Sequence, residues 1–257
     1  MPDGSIRYEV KDRVAWLTID RVERSNALDA EAIAGFGDGL RRAEADDEVR
    51  VVCLTGAGEK AFCSGADLAA SFGQPDALET MRAYAALLKQ LHGLGKPCVA
   101  RVAGHAIGGG VGLLLSCDVA YAREGVKFGT PELGVGLFPM MIGALIFRNL
   151  RRKKALEMIY TGRMLDAREA EEIGLITRAV PAADLESVVL STLAAVAKQA
   201  PLAMRLGRQA LAEAEDLPLG PALDFLCERL AAVVSTEDAR EGLLAFLEKR
   251  PPVWTNR

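Results

Sequence analysis

The chain has 257 residues, 50% of them hydrophobic and 26% charged, and a formal net charge of −4. That size and composition suit one large domain with a sizeable core. Mild acidity argues against a nucleic-acid partner, which needs a concentrated basic face, and no apolar run reaches the roughly 18 residues that would span a membrane. The five cysteines, Cys53, Cys63, Cys98, Cys117 and Cys227, are odd in number and lack CxxC spacing. They read as reduced thiols of a cytoplasmic protein, not as a disulfide frame or zinc site. The Met-Pro-Asp-Gly-Ser start shows no basic region followed by an apolar run, so no secretory signal is expected.

In chain order, Tyr8 to Val10 and Val14 to Asp20 read as strands joined by a turn-like Lys-Asp-Arg. Asp29 is placed to cap a helix over 30–44, whose apolar positions are Ile33, Phe36 and Leu40. The apolar run Val49 to Thr55 suits a buried parallel strand, and a loop follows from Glu59 to Leu68. Asp76 is expected to cap the next helix, which carries Leu78, Met81, Leu87, Leu88 and Leu91. Pro97 to Val102 and Val119 to Arg123 are further strands, and Val111 to Ser116 a buried helix between them. This alternation predicts α/β architecture with right-handed crossovers.

Beyond Phe138 the strand signal fades. Helices are expected to start at Asp166, to span 182–198, to open at Pro201, and to span 219–234 and 236–248. The division expected is an α/β core over residues 1–195 and a helical, oligomer-forming region over 196–257.

Several site motifs are excluded. There is no GxxxxGK[ST] loop, and the stretch at Gly108 fails GxGxxG because Leu115 stands where a glycine is required. Phe62 replaces the leading glycine of a nucleophile elbow at Ser64. His92 and His105 are the only histidines, too few for a multi-histidine metal site.

What remains is two glycine-bearing loops, each following a buried strand: Lys60 to Leu68, and Gly108-Gly109-Gly110 opening a helix. Backbone N–H groups at a helix start lack intrahelical acceptors, so one N–H from each loop could meet on a single developing oxyanion. Losing one such donor typically costs roughly 3–4 kcal/mol of barrier. The same glycines also suit tight turns or close helix packing, and spacing alone does not choose.

The order of motifs adds to this. Ser25-Asn26-Ala27-Leu28, Leu54-Thr55-Gly56, Ala61 to Leu68, Ala106 to Gly110, Cys117-Asp118, Phe128 to Glu132, Thr161-Gly162 and the C-terminal 241–250 segment together resemble the enoyl-CoA hydratase/isomerase (crotonase) superfamily over nearly the whole chain. The resemblance implies a spiral core of repeated ββα units with a helical C-terminal region, and assembly as a trimer or a dimer of trimers. It implies an acyl-CoA substrate and no cofactor beyond the coenzyme A that is part of it. By resemblance the oxyanion donors are the N–H groups of Ala66 and Gly109, the latter in the Gly108–Gly110 turn. Ser64, Gly65, Asp67 and Leu68 would line the CoA site, with Arg24 near the CoA phosphates. Phe246 and Lys249 would help hold CoA across a subunit boundary.

One departure outweighs the matches. Hydratases of the superfamily carry two glutamates; the second is present as Glu132, but the first position is Gly112. Each positioned acid or base is worth roughly 10²–10⁴-fold, so water addition loses half of its equipment. A single carboxylate suffices to shuttle a proton, which points to isomerisation of a 3-enoyl to a 2-enoyl thioester. Hydration with a non-standard second group, thioester hydrolysis or decarboxylation, and a non-catalytic CoA-binding scaffold are the alternatives. Met140 and Met141 beside the Pro-Glu segment suit either an acyl pocket or the core. Asp67, Asp118 and His105 are expected to brace loops, Cys63 to be a loop residue without a base, and the basic run Arg148 to Lys154 to be a solvated helix face.

Overall fold

The computed structural model describes residues 5–67 and 77–257. Its first hairpin pairs β1 (Ile6–Lys11) antiparallel with β2 (Val14–Ile19). The two-residue turn places both Asp12 and Arg13 at positive φ, the conformation whose twist matches that of the flanking strands. Helix α1 (Ala30–Ala45) follows, with the Asp29 carboxylate accepting from the Ala32 N–H at 2.8 Å as its cap. Beyond it the chain repeats a pattern: one strand joins a large sheet, a short second strand joins a small one, and a helix returns.

The large sheet has six strands in the order β1-β2-β3-β5-β7-β10. Its later members are β3 (Val51–Gly56), β5 (Cys98–Val102), β7 (Val119–Arg123) and β10 (Arg178–Val180), each parallel to its neighbour. All residues of β3 are buried, as a strand covered on both faces requires. The small sheet runs β4 (Ala61–Cys63), β6 (His105–Ile107), β8 (Lys127–Gly129) and β9 (Leu165–Asp166). Of these, β4, β6 and β8 pair in parallel and β9 antiparallel.

Residues 61–63, read as part of a loop, therefore form a strand, as do 105–107 and 127–129, to which the sequence assigned no element, and β9 and β10 lie in the part read as helical. At two or three residues each they are too short to show a two-residue alternation. The expected helix cap at Asp76 lies outside the described residues.

Helix α2 (Ala77–His92) follows β4, and α3 (Gly109–Leu115) follows β6. Helices α4 (Met140–Asn149), α5 (Arg152–Thr161) and α6 (Ala167–Glu172) come next, the last closed by a capping box between Asp166 and Glu169. One core, with Phe36, Phe62 and Phe128 among its largest members, joins both sheets to α1–α6. The other face of the large sheet is covered by α7 (Leu185–Ala197), which inserts Leu185, Val189 and Leu193. Residues 182–184, expected within that helix, form a separate 3-10 turn.

Helices α8 (Pro201–Ala214), α9 (Leu219–Val234) and α10 (Glu237–Glu248) complete the chain. Arg208 bolts α8 to the rest: it pairs with Asp118 and donates to the carbonyls of Leu91, His92 and Leu94. The tail folds back onto α10, where the buried Asp238 carboxylate accepts from the Thr255 and Asn256 N–H groups. No single helix among the described residues is long and apolar enough to cross a membrane.

Candidate active site

The parallel register of the small sheet decides what meets what. Cys63 stands beside Ala106, and Ile107 beside Gly129. The loops leaving the C-terminal ends of β4, β6 and β8 therefore emerge side by side. They are Ser64–Asp67, the turn at Gly108, and Thr130–Glu132.

The first loop is held as an extra strand against the Ser25–Leu28 turn. Leu28 N–H donates to Gly65 C=O, Asp67 N–H donates to Leu28 C=O, and Ser64 N–H donates to Ser25 C=O. Leu28 and Ala66 thus form a parallel bridge. In such a bridge the N–H of the residue opposite points away from its partner, so the Ala66 N–H is directed to the far side and finds no acceptor among the described residues.

The turn that holds this loop is itself anchored. Asn26, 1% exposed, accepts from Arg21 N–H and donates to the carbonyls of Ala57 and Ala61. Arg21 pairs with Asp29 and Asp67 and donates to Ala27 C=O. Neither Arg21 nor Asn26 was marked as a site residue in the sequence, because their partners lie up to 46 positions away.

The two loops approach backbone to backbone. A Cβ on Gly65, whose φ is +92°, would lie 2.9 Å from the Gly109 nitrogen. Only glycine permits both that φ and that approach. Helix α3 starts at Gly109, two residues earlier than expected, so the Gly109 N–H has no intrahelical acceptor. The loop that bears Ala66 thus packs against Gly109, and the N–H groups of Ala66 and Gly109 both lack a backbone acceptor among the described residues.

Glu132 lies in the 3-10 turn Pro131–Val135 that follows β8. Its Oε1 comes within 3.1 Å of where a Cβ on Gly108 would stand. Oε2 is buried without a partner among the described residues, as is the Thr130 hydroxyl two residues earlier. Such orphaned polar atoms are rare in native interiors and cluster where a ligand belongs. Burial pushes the Glu132 carboxyl above the ordinary carboxylate range, offset only in part by its own backbone N–H.

The place that a side chain at Gly112 would fill is already occupied. A Cβ there would meet the Tyr84 hydroxyl at 2.5 Å and run into Ile142 Cγ2. Tyr84, from α2, is buried and donates to Gly109 C=O at 2.5 Å. The pocket wall beside Gly112, which the sequence leaves open, is thus closed by Tyr84 and Ile142. In the sequence these two are indistinguishable from core residues.

Of the other expected site residues, Arg24 is exposed at the end of the 3-10 turn Val22–Arg24, directly before the Ser25 that holds Ser64. Leu68 lies outside the described residues. Met140 is 74% exposed and Met141 also exposed, so neither belongs to the core. Phe246 is 78% exposed and Lys249 exposed as the left-handed cap of α10, so within one chain neither is buried against the loops.

His105 braces its strand, its Nδ1 accepting from Lys127 N–H, and Asp118 accepts from Cys98 N–H. Burial pushes the Cys63 thiol up to about 12, which removes it as a nucleophile. Arg151 to Lys154 are exposed, while Arg148 pairs with Asp216. Among the described residues no cluster could hold a metal ion. A cavity of about 150 Å³ at the C-terminal end of α3, lined by Leu114, Asp118, Asn149 and Thr177, includes none of Ala66, Gly109 or Glu132.

The architecture has close counterparts of known structure. An enoyl-CoA hydratase from Bacillus anthracis superimposes with a TM-score of 0.94 at 31% identity, over 98% of this chain and 100% of that one. The fold is the crotonase fold. The model of the enoyl-CoA hydratase/isomerase family matches residues 9–257, and the chain belongs to that family. The short-chain-enoyl-CoA hydratase of Clostridium acetobutylicum is 33% identical over 252 residues, 96% of either chain. The (E)-benzylidenesuccinyl-CoA hydratase of Thauera aromatica is 33% identical over 255 residues, 97% of this chain and 98% of its own.

The packing at Gly112 yields a direct test. Gly112→Ala is expected to destabilise the protein by about 1–3 kcal/mol, the usual effect of overpacking a filled interior. It should be read as a lowered midpoint in denaturant with the slope unchanged; an unaltered midpoint would mean that the space is open.

Proposed function

We propose that the protein binds an acyl-CoA thioester, stabilises its enolate between the N–H groups of Ala66 and Gly109, and uses Glu132 to move a double bond from the 3- to the 2-position. The observation that carries this reading is a carboxylate with one buried, unpartnered oxygen beside the Gly108 turn, which packs against the loop that bears Ala66, with no room for a second carboxylate at Gly112. Membership of the enoyl-CoA hydratase/isomerase family supports the thioester substrate.

In this reading the thioester oxygen sits between the two donors. Glu132, as carboxylate, removes a proton from C2 of a 3-enoyl thioester. The electron pair spreads into a dienolate whose charge rests on the thioester oxygen, where fixed donors are most effective. The same carboxyl returns the proton at C4, leaving the double bond between C2 and C3. Burial suits both halves of the shuttle, because a raised pKa makes the carboxylate a better base and brings its pKa closer to the operating pH. The exposed apolar side chains that follow Glu132, among them Leu133, Val135, Phe138 and Met140, would meet the acyl chain.

Hydration is the second reading, favoured by the hydratase names of the relatives. The two separate in a paired assay with 3-hexenoyl-CoA and crotonyl-CoA. Formation of 2-hexenoyl-CoA without hydration of crotonyl-CoA is expected, and Glu132→Gln should lower that rate by about 10²–10⁴-fold. Equal rates in the variant and the wild type would remove Glu132 from the mechanism.

The pH dependence follows from the sign of the Glu132 shift. The base acts when ionised, so kcat/KM should fall tenfold per unit below its pKa in the free enzyme, with the midpoint above that of an ordinary glutamate. The residual activity of Glu132→Gln should lack this limb. Because the fold favours the protonated carboxyl, its contribution to stability is present at low pH and lost as pH rises through the raised pKa.

We also propose a homo-oligomer, a trimer or hexamer. No residue of α9 is buried, and Leu219, Leu223, Leu230 and Val234 stand exposed on it, beside Leu243, Phe246 and Leu247 of α10. Apolar exposure on that scale marks a surface that is covered in the working state. Sedimentation equilibrium should return three or six times the chain mass, and the mass of one chain would refute the assembly.

A further inference from the structure

The Gly108–Gly110 turn has an unusual weakness for a catalytic element. Three consecutive glycines carry no side chain that could hold the backbone, and glycine has the most conformational freedom to lose. Yet the direction of the Gly109 N–H must be fixed to within a fraction of an ångström for a preorganised donor to work. Two backbone hydrogen bonds reach the turn, Gly108 N–H to Gly129 C=O and Val111 N–H to Gly108 C=O. The second holds the planar peptide unit that carries the Gly109 N–H, but both lie on the Gly108 side, and neither ties the following unit, Gly109 C=O with Gly110 N–H, to a neighbouring element.

Tyr84 supplies an anchor on that second side. Its hydroxyl donates to the carbonyl of Gly109 at 2.5 Å. The oxygen also lies 3.3 Å from where a Cβ on Gly109 would stand and 2.5 Å from where one on Gly112 would stand. The phenol therefore sits inside the first turn of α3, in the place that the side chain of residue 112 would otherwise enter. The ring is held by α2, a four-turn helix that also buries Leu87, Leu88 and Leu91 in the core, so the hydroxyl is delivered from a rigid element.

The chemistry of the group fits a permanent donor. Burial raises the phenol well above its ordinary pKa, and the nearby Cys63 and Glu132 add to that effect. The proton stays on the oxygen across the working range, and the group can neither act as a base nor repel an enolate. A carboxylate in the same place would do both.

We infer that Tyr84 is a positioning residue for the oxyanion hole: its hydroxyl ties the Gly109 carbonyl to α2 and so fixes the place of Gly109, the residue that bears the donor N–H, where a two-glutamate site would carry its other carboxylate. This rests on the proposed role of Gly109 as an oxyanion donor, but not on which reaction follows. No bond to substrate is implied, and Glu132 remains the group that moves protons.

The test reads the donor directly. Hexanoyl-CoA labelled with ¹³C at the thioester carbonyl cannot isomerise, and its carbonyl stretch in difference infrared spectra reports polarisation by the hole. Wild type is expected to lower that frequency on binding. Tyr84→Phe, which keeps the ring and its packing, should return at least half of the shift towards the free value while affinity for hexanoyl-CoA stays within about twofold. Ile142→Val, which loosens the same space without touching a hydrogen bond, should leave the shift unchanged.

With 3-hexenoyl-CoA, Tyr84→Phe should lower kcat by about tenfold at nearly constant KM, less than the loss of an oxyanion donor itself. A full carbonyl shift in Tyr84→Phe, or equal effects of Tyr84→Phe and Ile142→Val, would overturn the inference. So would the absence of any shift in wild type. If wild type fails to isomerise but its carbonyl shift depends on Tyr84, the isomerase reading falls and the role of Tyr84 stands.

Discussion

The small sheet is the constraint on which the site depends. Because β4, β6 and β8 run parallel, with an irregularity in β4 that sets Cys63 beside Ala106, their C-terminal ends reach one edge together. Two amides and a carboxyl group that are up to 66 residues apart in the chain are thereby placed on adjacent loops. The large sheet serves as a platform: its strands β3, β5 and β7 each feed one strand of the small sheet, and the core between the sheets locks their relative position. Ligand sites at the carboxyl ends of parallel strands follow from the same geometry in other α/β folds.

The electrostatics of that edge are equally economical. The glycine turn and the Tyr84 phenol beside Glu132 are neutral, since burial keeps the phenol protonated. No ion pair among the described residues holds Glu132 in one charge state. The charged pairs are placed one layer out. Arg21 with Asp29 and Asp67 stiffens the loop that presents Ala66, and Arg208 with Asp118 ties the helical region to the foot of the core.

Much of this was legible in the sequence, and the part that was not has a common cause. Local chemistry gave itself away: the cap at Asp29, the helix starts at Asp166 and Thr236, the strand Val119–Arg123, the helix at 219–234 and the two glycine loops. Glu132 stood out against the glycine at 112. The three-residue strands were hidden because pairing, not periodicity, makes them strands. Tyr84, Ile142, Asn26 and Arg21 were hidden because each acts on a residue 25 or more positions away in at least one contact, or, for Ile142, on a helix that meets its own only in three dimensions. An apolar stripe along α2 conceals a tyrosine whose hydroxyl, not its ring, is the functional part.

The packing around Gly112 bears on how such a site can change over time. A carboxylate at position 112 requires that the volume now held by Tyr84 and Ile142 be vacated first. Shrinking either of those alone leaves a void and a loosened glycine turn. The three positions are therefore strongly non-additive, and each single step between a one-carboxylate and a two-carboxylate site passes through a less stable protein. In this chain the room for a second carboxylate is set jointly by Gly112, Tyr84 and Ile142 and not by any one of them.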